Sequence, residues 1–159
     1  TAPATDMPVD MWNRVIDTNL NSLFFVAREC AKGMIKRGYG KIVNIGSIHS
    51  EVVMSPNTWP VTAYATAKGG VKMLTKGLAA EWANKGITVN AICPGYFYTP
   101  LTEETLNSEF FQNYAKTMIP LARYGNEGEL DTTALYLSSK ASSYVNGVII
   151  PVDGGYTCM

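Results

Sequence analysis

The chain has 159 residues, 47% hydrophobic and 16% charged, with a formal net charge of zero. That length and composition give one globular domain with a real core, and the neutral balance leaves no electrostatic footprint for nucleic acid or an anionic membrane surface. No apolar run reaches the roughly 18 residues that cross a bilayer, and the opening TAPATDMPVD has no basic segment ahead of an apolar core, so it does not read as a signal peptide.

Asp6-Met7-Pro8 reads as a helix start, with a carboxylate offered as cap and proline tolerated in the first turn. Met11, Val15, Ile16, Leu20, Leu23, Phe24, Ala27, Ala31 and Met34 then recur at three- and four-residue steps, which predicts one long amphipathic helix over 8–37, ended by Gly38 and Gly40. KIVNI (41–45) follows as a short strand apolar enough for burial on both faces. Residues 50–60, with Pro56, Asn57 and Pro60, form a loop, and Thr62 caps a second long helix over 63–84 with Val71, Leu74, Leu78 and Trp82 on one side. Asn84-Lys85-Gly86 stops it, ITVNAI (87–92) is the next strand, and Pro94-Gly95 breaks that strand. Residues 100–117 read as one or two short covering helices, 127–137 as another helix, and VIIPV (148–152) as a last strand before the turn Asp153-Gly154-Gly155. Strands alternating with helices predict an α/β fold with a parallel sheet and right-handed crossovers. The first helix has no strand before it, so the pattern reads as the second half of a larger open sheet.

The cysteines Cys30, Cys93 and Cys158 are far apart and odd in number, so neither a disulfide framework nor a CxxC site is expected and a reducing, cytoplasmic setting is the default. His49 is the single histidine, and no metal site is expected.

In open α/β sheets ligands bind at the carboxyl ends of strands. Ser47 leaves the first strand there, and Tyr64 and Lys68 open the helix that runs back from the same edge, so the three converge. Residues four apart share a helix face, and an ammonium beside a phenol favours the phenolate. Such a pair moves a proton at a carbonyl or alcohol oxygen, a neighbouring hydroxyl fixes that oxygen, and a nicotinamide would carry the hydride. The bland alternative is one turn of an ordinary helix. The chain contains its own control: Tyr136 and Lys140 repeat the spacing with no strand and serine before them, and read as a core tyrosine and a surface lysine.

The stretches DTNLNSLFF (17–25), GKIVNIGS (40–47), YATAKGGV (64–71), ITVNAICPGYFYT (87–99) and SSYVNGVIIPVDGG (142–155) resemble, in order, the short-chain dehydrogenase/reductases. Within that family the chain is most similar to gluconate 5-dehydrogenases and related sugar or polyol reductases. The resemblance implies a Rossmann-like doubly wound parallel sheet of which residues 1–159 are the C-terminal part, an incomplete NAD(P)-binding domain without its phosphate-binding N-terminal half. No GxGxxG-like stretch occurs in the chain. The implied catalytic residues are Asn19, which holds a water in a proton relay with the lysine; Ser47, which orients substrate; Tyr64, the acid–base; and Lys68, which also bonds the nicotinamide ribose. Pro94, Gly95, Phe97 and Thr99 match the stretch at the nicotinamide. On spacing alone Asn19 reads as a polar residue on a solvated helix face.

His49 and Tyr96 are the candidate substrate contacts, His49 with a plain surface loop as its alternative. Glu51, Asn57 and Trp59 lie in a loop that is longer than in many members, where Trp59 either stacks on a sugar or packs down the loop. Phe110, Phe111 and Tyr114 read as the core of a substrate-covering segment. Helices 8–37 and 63–84 match the family's pairing helices, which implies a homotetramer. The expected activity is NAD- or NADP-dependent interconversion of a ketone and a secondary alcohol on a sugar acid, ketose or polyol. The alternatives are a 3-oxoacyl-thioester or other ketone reductase, and a non-catalytic binding domain.

Overall fold

A computed structural model describes residues 1–54 and 59–158. Pro56 and Asn57 of the expected loop lie outside the described residues. The elements are α1 (Val9–Ile16), α2 (Ser22–Arg37), β1 (Gly40–Ile45), α3 (Thr62–Trp82), β2 (Ile87–Pro94), α4 (Glu103–Asn107), α5 (Glu109–Met118), α6 (Asp131–Ser138) and β3 (Ile149–Val152). The three strands form a parallel sheet in the order β1-β2-β3, with Gly40 opposite Ile87 through Ile45 opposite Ile92, then Ala91 opposite Ile149 through Pro94 opposite Val152. The α/β class and the parallel order match the expectation.

The single helix expected over 8–37 is interrupted. Asp17–Asn21 form a π-helical turn between α1 and α2. Its cause is local: the Asn19 side chain donates to the Val15 carbonyl at 3.0 Å and the Ser22 hydroxyl to the Thr18 carbonyl at 2.8 Å. These groups compete with the backbone ladder and accommodate one extra residue per turn. The expected caps also differ. Pro8, not Asp6, is the N-cap of α1, and Thr62 is the first residue of α3 after Val61. β2 runs two residues further than expected, because Gly95 N–H still pairs with the Val152 carbonyl at 2.9 Å. α6 starts at Asp131 rather than at 127.

One core joins Ala27 and Ala31 of α2, Leu78, Ala79 and Trp82 of α3, and Ile87 and Val89 of β2. Small alanines bring the helices close to the sheet, and Trp82 fills the remaining volume. Two helix ends meet at the amino edge of the sheet. Gly38 and Gly86 both have positive φ (66° and 78°), and a Cβ on Gly86 would lie 2.1 Å from the Gly38 carbonyl oxygen. Only glycine permits this approach, which starts β1 and β2 side by side. Buried asparagines fix the connections. Asn44 of β1 donates to Thr75 of α3 at 2.9 Å, and Asn90 of β2 donates to the Val145 carbonyl and accepts from Val148 N–H.

Tyr136 corrects the sequence reading: it is 51% exposed. Its neighbour Leu137 is the residue of α6 that turns inward and is fully buried, which leaves Tyr136 outside. Lys140 sits in a separate 3-10 turn beyond the helix end, so the repeated spacing does not share one helix face.

Candidate active site

The candidate residues gather at the carboxyl ends of β1 and β2. Ser47, extended and buried, caps the 3-10 turn Ile48–Ser50. Its Oγ accepts from His49 N–H at 3.1 Å, while Ser47 N–H points to Ser50 Oγ at 3.4 Å. The serine hydroxyl therefore has a lone pair occupied, and its own hydrogen is left to donate, with no acceptor among the described residues.

Tyr64 and Lys68 lie in the first two turns of α3. Lys68 is 8% exposed, its Nζ donates to the Ile45 carbonyl at 3.0 Å, and it stands 5.6 Å from the centre of the Tyr64 ring. Burial pushes the lysine below its ordinary pKa, with the Cys93 sulfur acting in the opposite sense. The ammonium binds the last carbonyl of β1, so the strand and the helix lock each other at the site. His49 meets the Tyr64 ring edge-on, with centroids 5.9 Å apart and planes at 78°. Ser47, His49, Tyr64 and Lys68 are thus brought together.

Asn19 lies in the π turn, and that turn packs on α3. Leu20 fits over Gly70, where a Cβ would come within 2.7 Å of Leu20 Cδ2. The expected solvated-face alternative for Asn19 is at odds with its half-buried position and its bond to Val15.

Ser50 and Cys93 escaped the sequence reading. Ser50 Oγ donates to the Lys68 carbonyl at 2.9 Å, receives Ser47 N–H, and takes the Cys93 thiol at 3.7 Å. One hydroxyl thus ties the backbone of the serine to the backbone of the lysine. The Ser-x-x-Ser spacing from 47 to 50, a variant of the capping box, was the available signal. Ser50→Ala is expected to cost about 1 kcal/mol, since it takes its partner from the Ser47 amide and removes the second bond to the Lys68 carbonyl, which keeps its helix bond within α3. Thermal denaturation and turnover of the variant check this. Glu51 pairs with Lys72 of α3 at 2.5 Å, which pins the start of the following loop.

Pro94 ends β2, and Phe97 forms a single parallel bridge with Gly125. Thr102 closes the turn that follows, donating to the Phe97 carbonyl at 2.8 Å and accepting from Thr99 N–H at 2.9 Å. Tyr96 turns its ring into an aromatic cluster with Phe111, Tyr114 and Tyr156, at centroid distances of 5.0, 6.0 and 5.6 Å. Burial, with the hydroxyls of Tyr114 and Tyr156, pushes its phenol well above the ordinary tyrosine range, so it stays neutral. That cluster, with Leu106, Ala115 and Ile119, is the core of the covering segment α4–α5. Phe111 and Tyr114 belong to it as expected, but Phe110 does not: it is 58% exposed and meets Trp59 edge-on at 6.2 Å. The 50–60 loop and the covering helix therefore touch through this aromatic pair. Asp153 receives Gly155 N–H and Thr157 N–H, which makes the Asp-Gly-Gly turn structural.

Three ammonium hydrogens less the Ile45 bond leave Lys68 two donors for vicinal hydroxyls such as those of a ribose. Pro94, Gly95, Phe97 and Thr99 lie at and just beyond the carboxyl end of the neighbouring strand β2, and the two ammonium donors suit the nicotinamide ribose of a dinucleotide. No glycine-rich strand-to-helix turn for the phosphates occurs among the described residues. The described residues also contain no group of three or more His, Cys, Asp or Glu fit to hold a metal, and no helix long and apolar enough to cross a membrane.

The family model described as enoyl-(acyl carrier protein) reductase matches residues 1–157. The chain is 44% identical to gluconate 5-dehydrogenase of Gluconobacter oxydans (strain 621H), over 98% of this chain and 59% of that protein. It is 41% identical to galactitol 2-dehydrogenase (L-tagatose-forming) of Cereibacter sphaeroides, over 92% of this chain and 57% of the other. Among solved structures it superimposes on a gluconate 5-dehydrogenase from Burkholderia cenocepacia J2315 in complex with NADP and tartrate. The TM-score is 0.92 at 40% identity, over 99% of this chain and 60% of that one. The chain thus spans somewhat less than two thirds of the length of these relatives. With the fold, the order of its motifs and the model match in agreement, the chain belongs to the short-chain dehydrogenase/reductase family.

Proposed function

We propose that this chain carries the acid–base part of an NAD(P)-dependent oxidoreductase that interconverts a ketone and a secondary alcohol on a sugar acid, ketose or polyol. The observation that carries the reading is the convergence of Ser47, Tyr64 and Lys68 at the carboxyl edge of the sheet, with Lys68 bound to the end of β1. The sugar and polyol dehydrogenases among its relatives support the substrate class.

In the reducing direction Ser47 donates its free hydrogen to the carbonyl oxygen and holds it. Tyr64 gives its proton to the same oxygen as the alcohol forms. Lys68 stabilises the tyrosinate left behind and offers its remaining donors to the ribose hydroxyls. Asn19, in the π turn against α3, is assigned the water of the relay that returns a proton to the site. Lys68 and the 94–99 turn would hold the nicotinamide, which would supply the hydride when bound.

The phosphates require a further half that precedes β1 in the sheet. Two features support this: β1 pairs only with β2 among the described residues, and a groove of about 460 Å³ runs along it, lined by Leu23, Val26, Ile42, Ile45 and Lys68. Exposed Phe25 on α2 and Met73 on α3 support pairing of subunits through these helices into a homotetramer. The free cysteines Cys30, Cys93 and Cys158 support a cytoplasmic setting.

The test is a panel of 5-ketogluconate, free ketoses and a 3-oxoacyl thioester, each with NADH and NADPH. Turnover of the polyhydroxy ketones is expected. Turnover of the thioester alone would replace this reading with a 3-oxoacyl-thioester reductase.

A further inference from the structure

His49 is the only histidine in the chain. It occupies the 3-10 turn directly after Ser47, and its backbone N–H holds the serine hydroxyl. Its ring is held from one side: Nδ1 lies 3.1 Å from the Val52 carbonyl oxygen. A carbonyl oxygen only accepts, so the hydrogen of the neutral ring sits on Nδ1. Burial lowers the pKa of the imidazole, against the Val52 bond, and keeps it neutral near pH 7. Nε2 then carries a lone pair, with no partner among the described residues. The same ring stands edge-on to Tyr64, 5.9 Å between centroids. A fixed hydrogen-bond acceptor is therefore built one ring away from the acid–base residue and two residues away from the serine.

We propose that His49 Nε2 accepts a hydrogen bond from a substrate hydroxyl on a carbon next to the reacting carbonyl, which makes the site selective for α-hydroxy ketones and vicinal diols. The inference rests on the oxidoreductase reading and adds the feature of the substrate that is recognised. A hydroxyl supplies the proton that Nε2 lacks. A carboxylate at that place has no proton to give, and it would set its own lone pairs against the ring. A methylene, as in a 3-oxoacyl chain, leaves the acceptor unpartnered, at the cost of desolvating it. The acceptor distinguishes substrates by what flanks the carbonyl, whereas Ser47 and Tyr64 address only the carbonyl itself.

Two arms test this. In the first, the imidazole nitrogens of the 15N-labelled protein are read by long-range correlation, where a single histidine gives one unambiguous pattern. A protonated Nδ1 and a bare Nε2 are expected, with the Nε2 resonance moving when D-sorbitol is added. A protonated Nε2, or an Nε2 indifferent to the polyol at saturating concentration, overturns the proposal whether or not the protein turns over. In the second arm, kcat/KM is compared for hydroxyacetone and butanone, which differ by a hydroxyl against a methyl beside the carbonyl. Wild type should prefer hydroxyacetone, and His49→Leu should shrink that preference about 10-fold. His49→Gln, whose amide oxygen also accepts, should restore part of it. If His49→Leu lowers both ketones in equal proportion, the residue only supports the Ser47 turn and the proposal falls. If wild type reduces neither ketone, the oxidoreductase reading fails in the second arm, and the nitrogen spectra still decide the tautomer and the polyol contact.

Discussion

Tyr64→Phe lowers kcat by roughly 10²–10⁴-fold, the usual contribution of a positioned general acid or base. The change is clean because the ring stays. The edge contact to His49 and the face beneath Lys68 are both made by carbon atoms of the ring, so the packing at 5.9 and 5.6 Å persists without the hydroxyl. Only the proton source is lost. Substrate holding by Ser47 is untouched, so KM should change little while kcat and kcat/KM fall together, the pattern of an interaction made in the transition state. Steady-state kinetics with saturating cofactor read this directly. Near-normal turnover in the variant would remove Tyr64 from the chemistry and with it the proposed mechanism. Tyr136→Phe, in the repeated spacing, is the matching control. Tyr136 is an exposed residue of α6, with Lys140 outside its helix, and its hydroxyl should be dispensable.

That contrast shows what the sequence carried. The spacing of tyrosine and lysine is local and occurs twice. What separates the copies is the preceding strand with its serine, and this order is visible in the letters because alternating strands and helices return the chain to one edge of the sheet. Features set by single-residue geometry were not visible. The π turn at Asp17–Asn21 is not legible because the apolar residues on both sides of it still recur at three- and four-residue steps. Phe110 and Phe111 are adjacent and identical, so composition cannot say which faces the core; the Ser108 cap of α5 sets the phase that buries Phe111. The Ser50 bridge joins residues 18 apart in sequence and needs the turn after β1 to lie on α3. Tyr96 reads as a site residue because it follows β2, but the chain bends there, beyond the end of the strand, and its ring packs into the cluster with Phe111, a contact that no strand periodicity signals.

Lys68→Met is expected to abolish turnover at least as completely as Tyr64→Phe, by roughly 10²–10⁴-fold, and to leave the fold as stable as wild type or more so. The two halves of this prediction come from one observation. Lys68 is 8% exposed, and burial holds its pKa below the ordinary lysine value of 10.5. The ammonium is therefore less favoured in the folded protein than in water, even with its bond to Ile45. Between the lowered folded pKa and the ordinary value the unfolded chain binds more protons, so stability rises with pH across that window. Below the window the cost of the buried charge is fully present; above about 10.5 both states are neutral and it disappears. Methionine has similar reach without the charge, and the carbonyl it abandons belongs to Ile45, a residue half exposed and open to water. At pH 7 the variant should gain stability, by a few degrees in Tm if the gain is about 1 kcal/mol. The difference from wild type should close as the pH is raised through the window. A variant clearly less stable at pH 7 would show that the Ile45 bond more than offsets the burial. A variant that gains stability and loses turnover would identify Lys68 as a residue kept for chemistry at the expense of the fold.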